Sequence, residues 1–196
     1  MNLPNKLTIL RMIMVPFFMF FIMLPEICAA STLLCDIVAL VIFALASLTD
    51  MLDGKIARKR GIVTDFGKFM DPIADKIMTF GAFIAILACE RFSSFKILLA
   101  WAVTIVLLRE FAVTSVRLVA QNRGNVVIAA NYLGKVKTVS QIVCIIIIFL
   151  EGNVFAAGSF FETSRPLSVA SIAVMLVFTV LSGANYIKDG VKYFNK

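Results

Sequence analysis

The chain has 196 residues, 61% of them hydrophobic, with 19 Lys and Arg against 12 Asp and Glu and no histidine. A soluble domain is about 45–50% apolar, so the excess must face lipid, in keeping with a mean hydropathy of +0.97. The missing histidine excludes the commonest general base and zinc ligand and leaves acid–base chemistry to carboxylates, Lys, Tyr or Cys.

Apolar runs of about 20 residues mark membrane-spanning helices. Six are expected, at 7–25, 32–57, 68–89, 96–120, 133–151 and 167–188, and they form a single domain over 1–196. The first follows Asn5, Lys6 and Arg11 and has no convincing small-residue cleavage site, so it is expected to be a retained helix rather than a signal peptide. Pro16 would kink it and Pro25 would end it. Asp36 near the start of the second span suits a first-turn acid favoured by the helix dipole, and Gly61 would close that span. Asp65 is expected to cap the third, which Ser93-Ser94 would terminate. The fourth would end at Asn122-Arg123-Gly124-Asn125, the fifth at Gly152-Asn153 and the sixth before Gly190. The four cysteines (28, 35, 89, 144) form no CxxC and sit in apolar sequence, so they are expected to be small packing residues.

Six spans place both termini on one side of the bilayer. On that side fall sixteen of the 19 Lys and Arg, leaving only Arg91, Lys96 and Arg165 opposite. The positive-inside rule therefore makes the side of the termini cytoplasmic. The net charge of +7 reflects this asymmetry. It favours anionic membrane lipids and needs no nucleic acid to explain it.

One stretch cannot be explained by lipid contact. Asp50, Asp53, Gly54, Ala57 and Arg58 are followed by Gly67, Asp71 and Asp75. Ionisable groups within membrane helices are rare and mark functional sites. At about 100° per residue, Asp50, Asp53, Gly54 and Ala57 share one face of the second span. Gly67, Asp71 and Asp75 share one face of the third. A short loop would make these helices antiparallel neighbours with their carboxylates facing at the cytoplasmic end. Four carboxylates balance two divalent cations, and hard oxygen donors suit Mg²⁺, Mn²⁺ or Ca²⁺. Two-metal sites recur in displacement at phosphorus. Arg58, Arg109, Arg117, Lys135 and Lys137 suit an anionic substrate. A structural or coupling-ion site is the bland alternative for the aspartates, and an internal Arg109–Glu110 ion pair for that arginine. Lys55, Lys59, Arg60 and Lys68 are expected to be positive-inside charges.

The pattern D-x2-D-G-x2-A-R-x8-G-x3-D-x3-D resembles the signature of the CDP-alcohol phosphotransferases, and every fixed position is met over residues 50–75. Pro4-Asn5-Lys6-Leu7-Thr8, Arg11, Arg109-Glu110-Phe111, Arg117, Gly134-Lys135-Val136-Lys137-Thr138 and Met70-Asp71-Pro72-Ile73-Ala74-Asp75-Lys76 are similar to the branch of that family that makes phosphatidylglycerophosphate. The resemblance implies an all-α, six-transmembrane-helix bundle with a cytoplasm-facing polar active-site cavity, assembled as a homodimer. It also implies two divalent cations, Mg²⁺ or Mn²⁺, held by Asp50, Asp53, Asp71 and Asp75, with Asp75 as general base. Asp53, Gly54, Ala57, Arg58 and Gly67 would line the CDP pocket, with Asn5 and Thr8 at the substrate mouth. Arg109, Arg117, Lys135, Lys137 and, more distantly, Arg11 would take the acceptor phosphate. The implied substrates are CDP-diacylglycerol and sn-glycerol 3-phosphate. Other acceptors within the family are phosphatidylglycerol, as in a cardiolipin synthase, and inositol phosphate. An ion-coupled transporter is the competing class, but the pseudo-repeated broken helices of a transporter have no counterpart here.

Overall fold

A computed structural model describes the backbone of residues 3–60, 65–124, 132–154 and 164–191. It describes the side chains of 5–50, 67, 70–117, 132–153 and 164–188. The described residues are helical almost throughout. The helices are α1 (Leu3–Ile27), α2 (Thr32–Arg60), α3 (Asp65–Ala88), α4 (Lys96–Gly124), α5 (Tyr132–Val154) and α6 (Pro166–Val191), with a 3₁₀ segment at Glu90–Phe95. Among the described residues five stretches, in every helix but α3, are long and apolar enough to cross a membrane, in keeping with an all-α membrane protein.

The helix bodies fall where the apolar runs place them, but several ends do not. Pro25 does not stop α1, which runs on to Ile27. Proline removes only its own N–H, and the last turn still closes because the Cys28 amide donates to the Leu24 carbonyl at 3.0 Å. Ser93-Ser94 does not end α3, which has already stopped at Ala88. The chain then tightens into the 3₁₀ segment, with non-helical angles at Phe92. There the Arg91 guanidinium is held by the Ile22 carbonyl at 2.9 Å and by Asp36 at 2.8 Å. Gly152-Asn153 and Gly190 lie inside α5 and α6 rather than beyond them. One glycine costs a helix only about 1 kcal/mol relative to alanine, too little to end it alone.

The chain divides into two compact units, residues 1–94 with 152–156 and residues 95–151 with 157–196. In the first, α1 packs against both α2 and α3, and among the described residues α2 and α3 meet only slightly. Phe18 of α1 meets Phe43 of α2 with ring centroids 5.3 Å apart. Gly81 lets α1 approach α3 closely, since a Cβ there would fall 2.7 Å from Val15 Cγ1. This is the usual service of small residues between membrane helices. The core is apolar and includes Ile22, Phe43, Phe83 and Ile86. Asp36 is not the solvated first-turn acid that its position suggests. It is buried, pairs with Arg91 and accepts a hydrogen bond from Asn153 at 2.9 Å. In low dielectric a carboxylate must be paired to be tolerated, and both partners come from sequence-distant segments.

In the second unit α4 packs on α6, with Leu99, Val106, Ile145, Ile148, Phe149 and Ile172 fully buried. Large side chains such as Trp101, Leu108, Phe111 and Val177 point outward, as lipid allows. The start of α6 is capped from a distance. Pro166 fills the first helical position, where its missing N–H costs nothing. Arg165 before it adopts a left-handed φ of 42°, a conformation that costs about 1–2 kcal/mol for a residue with a Cβ. The offsetting contact is Glu151, whose carboxylate accepts from the Leu167 amide at 2.8 Å, the Ser168 amide at 2.6 Å and the Ser168 hydroxyl. These are donors that a helix start leaves without intrahelical acceptors, and the negative charge suits the helix dipole. Glu151→Ala is expected to destabilise the protein by about 2–4 kcal/mol, since it orphans buried donors. Thermal unfolding in detergent should show the loss, with Glu151→Gln milder.

Candidate active site

The carboxylate motif spans the end of α2 and the start of α3, and α1 ties the two together. Thr8 and Arg11 are three residues apart on α1 and therefore share a face. Thr8 is fully buried and its hydroxyl donates to Asp71 Oδ1 at 2.7 Å. Arg11 is fully buried and its guanidinium lies 2.6 Å from Asp50 Oδ1. A buried guanidinium needs a carboxylate partner, and Asp50, 37% exposed, supplies it at the rim of the buried region. Asn5 is buried one turn earlier on the same helix. In this structure Thr8 and Arg11 thus address the motif carboxylates, a placement that their expected substrate-contact roles did not include.

Asp71 is exposed, and Asp75 is half-buried one turn further along α3. Pro72 between them lies within the helix without ending it. Gly67 is buried. Asp53, Gly54, Ala57 and Arg58 belong to α2, but their side chains lie outside the described residues, as does that of Asp65. Among the described residues no group of three or more carboxylate or thiol side chains is gathered closely enough to hold a metal. Asp50, Asp71 and Asp75, the described carboxylates of the motif, carry hard oxygen donors, and α1 contacts the first two. That chemistry fits Mg²⁺ or Mn²⁺ and not a soft metal.

Arg109, Arg117 and Lys137, three of the expected acceptor-binding cations, form a connected cluster in the second unit. Glu110 is its hub, with Oε1 2.7 Å from Arg109 Nη1 and 2.7 Å from Lys137 Nζ. The internal Arg109–Glu110 pair weighed as an alternative is therefore present, and it includes Lys137. Arg109 also donates to the Ser182 hydroxyl. Arg117 donates to the Tyr186 hydroxyl at 2.7 Å and lies 4.8 Å over its ring. Lys137 is buried, whereas Lys135 is exposed. Residue type alone did not single out Ser182, Gly183 or Tyr186, because none carries a charge. The available signal was a serine and a tyrosine four residues apart inside an apolar run.

The fold defines an all-helical protein suited to a membrane, with motif carboxylates held by α1 and a basic cluster around Glu110. The model of the CDP-alcohol phosphatidyltransferase family matches residues 1–182. The chain is 39% identical over 191 residues, 94% of its length and 93% of the relative's, to the CDP-diacylglycerol–glycerol-3-phosphate 3-phosphatidyltransferase of Bacillus subtilis. It is 37% identical over 194 residues to a probable phosphatidylglycerophosphate synthase of Mycobacterium tuberculosis, covering 97% of this chain and 82% of the other. A Sodalis glossinidius protein with the same name as the Bacillus relative is 32% identical over 192 residues, 95% of this chain and 93% of that one. The protein belongs to the CDP-alcohol phosphatidyltransferase family.

Proposed function

We propose that this protein transfers a phosphatidyl group from CDP-diacylglycerol to sn-glycerol 3-phosphate, giving phosphatidylglycerophosphate and CMP. The observation that carries the choice of a phosphomonoester acceptor is the basic cluster. Arg109, Arg117 and Lys137 against Glu110 leave a net charge of +2, which matches a phosphomonoester, about −1.5 to −2 at neutral pH. A phosphodiester acceptor such as phosphatidylglycerol carries half that charge, and serine has no phosphate. Between glycerol 3-phosphate and inositol phosphate, which carry the same charge, the names of the relatives favour the former.

The whole chain acts as one catalytic domain of six membrane helices, α3 being the sixth. Both termini and a polar cavity face the cytoplasm, as the Lys and Arg asymmetry requires, and two copies form a homodimer. CDP-diacylglycerol keeps its acyl chains in the bilayer and its headgroup in the cavity. Asp53, Gly54, Ala57, Arg58 and Gly67 contact the CDP group, with Asn5 at the mouth. Asp50, Asp53, Asp71 and Asp75 would hold two divalent cations, which would supply charge neutralisation for the pyrophosphate and for CMP as it leaves. Thr8 and Arg11 hold Asp71 and Asp50 in place.

Asp75 accepts the proton of the primary hydroxyl of glycerol 3-phosphate. The hydroxyl oxygen forms a bond to the β-phosphorus as the bond from that phosphorus to the CMP oxygen breaks. Arg109, Arg117 and Lys137 bind the acceptor's phosphate, with Lys135 at the exposed edge. The decisive measurement is CMP release by purified protein from CDP-diacylglycerol with glycerol 3-phosphate, phosphatidylglycerol, inositol phosphate or serine, with and without EDTA. Release with glycerol 3-phosphate alone, abolished by EDTA, is expected. A preference for another acceptor would overturn the assignment.

Lys137→Ala and Arg109→Ala are expected to raise the KM for glycerol 3-phosphate by about 10- to 150-fold, the effect of losing one charge-assisted contact. The KM for CDP-diacylglycerol should change far less. Because Glu110 is shared by both cations, either single variant leaves it one partner, so the helices should hold together. A change confined to the lipid KM would misplace the acceptor pocket.

A further inference from the structure

We propose that Ser182, Gly183 and Tyr186 of α6 form a seat that positions Arg109 and Arg117 to receive the anionic acceptor. This inference rests on the acceptor reading above and adds three uncharged residues on α6 to it. They stand at positions i, i+1 and i+4, so one face of the helix presents all three.

Each residue has a separate task. The Ser182 hydroxyl is fully buried and accepts from Arg109 Nη2. Gly183 gives the stem of that arginine its room, since a Cβ there would fall 3.0 Å from Arg109 Cγ. Tyr186 is 3% exposed, accepts from Arg117 Nη2 at 2.7 Å, and lies under both guanidinium groups, at 4.8 Å from Arg117 and 5.5 Å from Arg109. A second glycine-sized gap completes the seat. A Cβ at Gly134 of α5 would fall 3.3 Å from the Tyr186 hydroxyl, so a larger residue there would press on the ring by a few tenths of an ångström.

The physical reason for a seat is conformational. An arginine side chain has large rotamer freedom, and its planar fork is selective for phosphate only when its plane is fixed. For Arg117 the ring beneath it and one hydrogen bond from Nη2 fix that plane, and for Arg109 the Ser182 hydroxyl on Nη2 and the Glu110 carboxylate on Nη1 do so. Ordering the fork before the ligand arrives removes that cost from binding. Tyr186 is therefore a positioning residue and touches neither substrate nor reacting atoms.

The test compares four purified variants, Tyr186→Phe, Ser182→Ala, Arg117→Ala and the double variant Tyr186→Phe/Arg117→Ala. Tyr186→Phe keeps the ring and its packing, so folding should survive. Its KM for glycerol 3-phosphate should rise about tenfold, in keeping with a lost hydrogen bond to a charged group. Its kcat and its KM for CDP-diacylglycerol should stay near wild type, a split that a merely structural role would not produce. Ser182→Ala should act in the same direction. In the double variant the tyrosine change should add nothing to Arg117→Ala. An unchanged glycerol 3-phosphate KM in Tyr186→Phe, beside a raised one in Arg117→Ala, would overturn the seat alone. An unchanged KM in Arg117→Ala would overturn the acceptor reading, and the seat with it.

Discussion

Asp75→Asn is expected to lower kcat by about 10²–10⁴-fold, the contribution of a positioned general base, while CDP-diacylglycerol still binds. The chain has no histidine, so the proton of the attacking hydroxyl must go to another group. Asp75 lies one turn beyond Asp71 on α3, at the end of the motif farthest in sequence from Gly54 and Arg58. It is half-buried, which leaves an approach for a hydroxyl. Asparagine keeps the shape and one acceptor oxygen but cannot take up a proton at neutral pH. Lost metal coordination could lower turnover by another route, so lipid binding and turnover must be measured on one preparation at saturating metal. Near-normal kcat would remove Asp75 as the base and turn attention to Asp53.

The helices were legible because lipid imposes a simple rule on sequence. Every backbone polar group must be satisfied inside a span, so an apolar run of sufficient length can only be a helix. The ends were less legible because they depend on contacts between residues far apart in sequence. Nothing local to Glu151 announces that it caps α6, and nothing local to Asp36 announces Arg91 or Asn153. The same holds within the site. The aspartates stand out because carboxylates are costly in a membrane, and their spacing shows which share a helix face. Thr8 and Arg11 were marked as functional, yet their contacts with Asp71 and Asp50 required knowing that α1 packs against both α2 and α3. Tyr186 and Ser182 were hidden because a tyrosine and a serine are unremarkable in a membrane helix until an arginine is seen against them.

Asp71→Asn is expected to abolish turnover and to leave the fold intact, whereas Asp50→Asn should abolish turnover and also weaken the protein. On the proposed reading, each substitution removes one negative charge from the four carboxylates that would balance two divalent cations. Their structural consequences differ because α1 holds the two carboxylates differently. Asp71 accepts its hydrogen bond from the neutral hydroxyl of Thr8, and the amide oxygen of asparagine can still accept it, though more weakly. Asp50 pairs with the fully buried Arg11 guanidinium, and a neutral amide there takes away the countercharge. That loss should cost up to about 1.5–3 kcal/mol, the range for a hydrogen bond to a charged group, moderated because Asp50 is 37% exposed. Asp71→Asn is therefore the cleaner probe of the metal reading. Its expected signature is wild-type thermal stability without added metal, weakened Mn²⁺ binding measured by calorimetry, and no CMP release. Asp50→Asn should show the same loss of Mn²⁺ binding together with a lower unfolding temperature. Full turnover in Asp71→Asn, or Mn²⁺ binding undiminished in both variants, would show that these carboxylates serve α1 rather than a metal.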